Sequence, residues 1–280
     1  DAPTQPVRAV QLLQQEKDVT TIVARVVLLA DGLSNSSLPQ DHELRGHVAP
    51  HSRIGVGGVV EHCPPGFENG TIYMAVGKVG YVGLVRVEAG RLNVAAALDP
   101  VALGRDERPA TAIASLLASS RFPGVASIES TAWTGTVPLT RSSPNPAGRR
   151  VLMLGDAAGY VEPFTGEGIA SALTNGTAAA TLVARNISAW NEDVERQWVL
   201  QHRQLFDDRQ RWCRRLARLL WHPWAVRGVL RGLSIAPWLA RPIVNRLNQT
   251  PAGISNCDAT DRSDIRHNLI PVNEAPEFSQ

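Results

Sequence analysis

The chain has 280 residues, 44% hydrophobic and 19% charged, with a net charge of +2. These proportions exclude a disordered chain and give a polyanion-binding role no support from charge. Cys63, Cys213 and Cys257 are far apart and odd in number, which argues against a disulfide framework or a cysteine zinc site and makes a reducing, cytoplasmic setting the expectation.

In chain order, Val7 to Leu13 and Val19 to Val23 read as two short strands around a polar stretch. Arg25 to Ala30 is a third, apolar on both faces as buried strands are, and it runs into Asp31-Gly32-Leu33-Ser34. A chain that opens inside a sheet suggests a missing N-terminal segment. Ile54 to Val60, Thr71 to Val76, Tyr81 to Val87 and Leu92 to Leu98 follow as strands, separated by turns such as Pro64-Pro65-Gly66 and Asn69-Gly70. Strands this closely spaced predict an antiparallel sheet rather than βαβ units.

Ala110 to Ser119 reads as a helix, Ser130 to Leu139 as a strand, and Ser142 to Gly148 as a surface loop. A helix is expected from Ile169 to about Ile187 and a longer one from Asp193 to Leu220. In the longer helix, Trp212, Leu216, Leu219 and Leu220 share one face, and Arg211, Arg214, Arg215 and Arg218 fall opposite. Packing of this apolar face on the body is the first reading of residues 205–221, and peripheral contact with an anionic membrane is the alternative. Trp224 to Leu247 continues as helix with a break at Pro237, and a polar tail follows Pro251. No run of about 18 apolar residues predicts a membrane span, and no secretory signal is apparent.

The segment from Val151 to Ile169 carries the chemistry. Val151 to Leu154 is a buried-strand pattern, Gly155-Asp156-Ala157-Ala158 follows at its end, and Pro163, Gly166 and Gly168 form a turn into the next helix. Glycine lets backbone N–H groups approach a ligand, and the helix start favours negative charge. Asp156 suits a sugar-like hydroxyl at the edge of a parallel sheet.

The order Gly-Asp-Ala-Ala then Pro-x-x-Gly-x-Gly resembles the second flavin motif of FAD-dependent monooxygenases and geranylgeranyl reductases. Ala30-Asp31-Gly32 resembles another fingerprint of the same flavoproteins, in the expected order upstream. The resemblance runs from about Val7 to Leu247. It implies an α/β (α+β) fold: an FAD-binding Rossmann-like domain, truncated at its N-terminus, an inserted antiparallel sheet on the substrate side, and C-terminal helices. The corresponding divisions are residues 1–37 and 146–190 for the FAD domain, 38–145 for the sheet, 191–250 for the helices and 251–280 for the tail. It further implies that Asp31, Gly32, Gly155, Asp156, Ala157, Pro163, Gly166, Glu167, Gly168 and Ile169 contact FAD, with NAD(P)H as electron donor.

Two features depart from these families. No G-x-G-x-x-G turn is present, and Gly55-Val56-Gly57-Gly58 lacks the strand-turn-helix context, so weak FAD binding by the chain alone is expected. In geranylgeranyl reductases a Tyr-x-Trp-x-Phe-Pro segment lines the substrate cavity; here Tyr81 matches but Gly83 replaces the Trp. Tyr81 is therefore the single catalytic candidate, and cross-strand packing is its other reading. The halogenase signature is absent, since Trp133 to Pro138 approaches it only superficially, and there is no G-x-S-x-G elbow. His42, His47, His51 and His62 have no metal-ligand spacing. The expected activity is flavin-mediated hydroxylation or C=C reduction of a hydrophobic aromatic or isoprenoid molecule, without nucleic acid. The alternative is a catalytically incomplete flavoprotein or a membrane-peripheral module.

Overall fold

In the structure, a computed structural model, residues 7–14, 18–34, 36–37, 44, 46–104, 107–120, 122–166, 168–242 and 245 are described. The expected tail and the end of the last helix lie outside them. β1 (Arg8–Gln14) and β2 (Asp18–Ala24) pair antiparallel, with Arg8 opposite Ala24 and Gln14 opposite Asp18. They form a two-stranded sheet of their own rather than joining a larger one.

β3 (Val27–Leu29) is shorter than expected and is packed on one face only. Leu29 sits with Leu44, Val151 and Met153, while Leu28 points the other way into the open. The expectation of burial on both faces fails because the face that carries Leu28 is left uncovered among the described residues. β4 (His47–Val48) is a two-residue strand.

Alternating valines, leucines and alanines then build the large sheet. β5 (Ile54–Val60), β6 (Ile72–Gly77), β7 (Gly80–Arg86) and β8 (Leu92–Leu98) match the expected strands to within a residue. α1 (Pro109–Ser119) follows, and β9 (Thr134–Pro138) adds a fifth strand. The order is β6-β7-β8-β5-β9, antiparallel throughout. On one face Val82, Leu84, Val94 and Ala96 meet Ile113, Leu116 and Leu117 of α1. Each such buried aliphatic side chain contributes about 1.5–3 kcal/mol. The other face carries Tyr81 and Ala97 and looks toward the remainder of the chain.

The expected surface loop at 142–148 has short strands at its ends, β10 (Arg141–Ser142) and β11 (Ala147–Gly148). β12 (Val151–Met153) is fully buried and pairs antiparallel with β11 but parallel with β3. β13 (Gly159–Tyr160) pairs with β10. α2 (Gly168–Asn186) and α3 (Glu192–Leu219) follow. Asn191 caps α3: its side-chain oxygen accepts the Asp193 N–H at 3.0 Å. Leu152, Leu154, Ala179, Leu182, Val194 and Trp198 form the core between this sheet and the two helices.

The buried stripe of α3 runs through Val194, Trp198, His202, Phe206 and Cys213, and the expected face is half-buried at Trp212, Leu216 and Leu219 and buried at Leu220. α4 (Pro223–Ile235) ends at Ala236, before the turn Pro237–Ala240. No helix among the described residues is long and apolar enough to cross a membrane.

Candidate functional site

Parallel pairing places the ends of β3 and β12 at one sheet edge. Val27, Leu28 and Leu29 align with Val151, Leu152 and Met153, and the Leu154 N–H extends the ladder to the Leu29 carbonyl at 2.8 Å. The turn Gly32–Ser34 thereby touches the turn Gly155–Ala157, although the two are far apart in sequence. Two motifs legible separately in the sequence are brought together.

Within the first turn, one Asp31 carboxylate oxygen accepts the Ser37 N–H at 3.0 Å. Its other oxygen, Oδ1, is buried and has no partner among the described residues. A buried acceptor left unpaired costs about 1–3 kcal/mol, so it is a place for a ligand donor. Arg141 donates to the Leu33 carbonyl and holds the turn from β10.

Gly32 and Gly166 have φ of +71° and +68°, and a Cβ at either would meet nothing within 4 Å. Both therefore hold left-handed backbone against open space, which favours glycine, and the Gly166 N–H donates to the Pro163 carbonyl at 3.0 Å. Gly166 closes the turn Pro163–Thr165, and Gly168 begins α2. The first N–H groups of α2 lack partners in the helix and form its positive end. Gly155 packs against Ala172 of α2, and Ala157 is buried beside it. Asp156 is half-buried, and burial pushes its carboxyl above the ordinary range. Pro163 and Ile169 are exposed, and Glu167 lies outside the described residues.

Tyr81 sits deep in the wall facing this loop, edge-on to Phe164 at 5.5 Å between ring centroids. Its hydroxyl is buried beside Glu162 without a hydrogen bond of ordinary geometry. Burial, with the Glu162 charge behind it, raises the phenol above its usual value, so it stays protonated near neutrality.

Sequence reasoning assigned no role to Arg53 and Glu162. Arg53 donates to Glu162 at 2.7 Å and to the Leu220 carbonyl at 3.2 Å, with the two side chains 1% and 3% exposed. The guanidinium also lies 4.2 Å from the Trp221 ring centroid, a cation–π contact. Burial raises the Glu162 carboxyl and Arg53 opposes this. The pair joins the start of β5, the turn before α2 and the end of α3. No local signal marks two residues 109 positions apart, although Glu162 stands inside the motif itself.

Beneath the loop, between α2 and α3, is a cavity of about 50 Å³ bordered by Asp156, Tyr160, Asn175, His202, Gln210 and Cys213. This is the volume of a few waters, well below the roughly 300 Å³ of a small-molecule pocket. Neither a flavin ring nor a substrate fits there. His202 lies between Trp198 and Phe206, its ring tilted to each, and burial pushes its imidazole down to about 4 from 6.5. Between those two values the unfolded chain takes up a proton that the folded chain refuses. Stability is thus expected to fall as pH drops from 6.5 toward 4, by on the order of 3 kcal/mol from this group. Urea denaturation at stepped pH checks this, and His202→Phe should flatten that part of the profile.

No family model matches the sequence, and no curated protein matches it. Solved structures do share its fold. The flavin-dependent halogenase CmlS has a TM-score of 0.54 at 15% identity, covering 72% of this chain and 38% of its own. HpxO of Klebsiella pneumoniae, solved with FAD and uric acid, has 0.62 at 17%, covering 82% and 60%. PqsL of Pseudomonas aeruginosa, a probable FAD-dependent monooxygenase, has 0.55 at 19%, covering 80% and 66%. The chain spans less than two thirds of the length of each of these three. The chain thus shares its fold with these solved FAD-dependent monooxygenase and halogenase structures.

Proposed function

We propose that the chain forms the flavin-facing part of an FAD-dependent oxidoreductase acting on a hydrophobic small molecule. The observation that carries the reading is the meeting of the Asp31-Gly32 and Gly155-Asp156 turns at one parallel-sheet edge. The residues present fit the cofactor: an orphaned Asp31 oxygen, two open left-handed glycines and a free helix start converge on one edge. Asp156 accepts hydrogen bonds from the ribitol chain, and Asp31 and Gly32 lie on the pyrophosphate side. The start of α2 at Gly168 would offer backbone N–H groups to the flavin ring where reduction builds negative charge.

When bound, FAD supplies electron transfer to or from the substrate, with NAD(P)H as the donor. The chain's own part is positioning. Tyr81, Phe164, Leu33 and Met74 give the facing wall an apolar lining, which favours an aromatic or isoprenoid substrate, whether hydroxylated or reduced at C=C. A further strand-turn-helix unit is needed for the adenine end. The open face of Leu28 on β3 and the exposed Ile169 and Leu173 on α2 leave room for it.

The test is to purify the longest in-frame polypeptide that contains this chain. One FAD per chain, bleached anaerobically by NADPH or NADH, is the expected result. A colourless product that takes up no FAD would sink the reading. A stoichiometric yellow complex from the 280 residues alone would remove the need for a further unit.

A further inference from the structure

α4 has no buried residue, although most of its sequence is apolar. On one side Val226 packs with Tyr81, Met74 and Val76 against the large sheet and Ala225 and Leu233 are half-buried, while Val229 and Leu230 beside them stay exposed. At 100° per residue, Trp224 and Ile235 fall on the opposite side, with Arg227 and Arg231 beside them. Trp224 is 75% exposed and Ile235 80%. The turn Pro237–Ala240 extends this surface with the exposed Trp238 and Leu239. Two tryptophans and two aliphatic side chains thus share one outer surface. The half-buried Trp212, Leu216 and Leu219 of α3, in the residues 205–221 considered for membrane contact, are far less available than the exposed side chains of α4.

Charge identifies the occupant. From Arg209 to Cys257 the sequence has no Asp or Glu, while Arg214, Arg215, Arg218, Arg227, Arg231 and Arg241 fall within it. We propose that the outer face of α4 and its following turn docks on an anionic lipid leaflet. The tryptophans sit at headgroup level, the aliphatic side chains reach the acyl boundary, and the arginines meet lipid phosphates. A second copy is a poor occupant, because a two-fold interface sets the same patch against itself and brings arginines together. This inference is independent of the flavin reading.

The test is flotation of the full chain with phosphatidylcholine vesicles, with and without phosphatidylglycerol, at low and high salt. Binding is expected only with phosphatidylglycerol and is lost at high salt. The double variant Arg227→Gln/Arg231→Gln should bind about 30-fold more weakly, at about 1 kcal/mol for each arginine near the surface. Trp224→Ser/Trp238→Ser should weaken binding at every salt concentration while the thermal melt stays in place. Hydrogen exchange on the unaltered chain should show vesicle-dependent protection of residues 223–240 and none on the exposed face of α3. Equal binding to neutral vesicles, no binding to either kind, or protection elsewhere overturns the proposal. A dimer that Trp224→Ser dissolves would assign the face to a second copy. Binding that appears only after deletion of residues 251–280 would assign it to the chain's own tail.

Discussion

Glu162→Ala is expected to destabilise the protein by about 3–5 kcal/mol, because it leaves the Arg53 guanidinium buried without its carboxylate. Arginine cannot shed its proton to escape the penalty. Arg53→Met should cost less. Glu162 is already pushed upward by burial, so without Arg53 it takes up a proton and becomes neutral. The two single variants therefore differ in size and in pH dependence, and Arg53→Met should be least harmful at low pH. The double variant Arg53→Met/Glu162→Leu should recover much of the loss, since apolar pairs often replace buried ion pairs without cost. Urea denaturation of all four proteins measures this. Single-variant losses under about 1 kcal/mol would mean that the pair is solvated rather than buried.

Asp156→Ala should act in opposite directions on the fold and on the cofactor. With FAD bound to the longest polypeptide, losing a charged acceptor should raise the Kd for FAD about 10- to 100-fold, from about 1.5–3 kcal/mol for such a bond. Without FAD the same change should leave stability level or raise it, because burial already works against the ionised Asp156 at neutral pH. Flavin fluorescence titration and a thermal melt of the cofactor-free protein separate the two effects. A large fall in melting temperature with unchanged FAD affinity would make Asp156 a structural residue.

The contrast between these two sites shows where the sequence is informative. Asp156 is legible because its signal is local: a four-residue apolar strand, a carboxylate at its end and glycines before a helix. The four strands from Ile54 to Leu98 were legible for the same reason, since each is bounded by its own turn. The pairing of Arg53 with Glu162 has no local signature, because it exists only once β5 and the turn before α2 are packed together. The reading of β3 as covered on both faces failed for a related reason: an apolar run reports that burial is available, not which neighbours supply it. The apolar face expected at Trp212, Leu216, Leu219 and Leu220 does lie on the packed side, half-buried at the first three and buried at Leu220, but periodicity gave no sign that burial is deepest earlier, through Val194, Trp198, His202 and Phe206.

By itself, the sequence determined the longer strands and helices in their order, the antiparallel character of the large sheet, and two turns that each set a carboxylate beside glycine. Those properties follow from periodicity and turn residues, which act over a few positions. Only the tertiary structure decided that β3 and β12 lie side by side and parallel, so that Asp31 and Asp156 share an edge. It also decided that Arg53 and Glu162 are buried together, and that Trp224 of α4 and Trp238 of the following turn stay exposed. These are contacts between segments distant in the chain, and their energies depend on which surfaces meet, which no local pattern encodes.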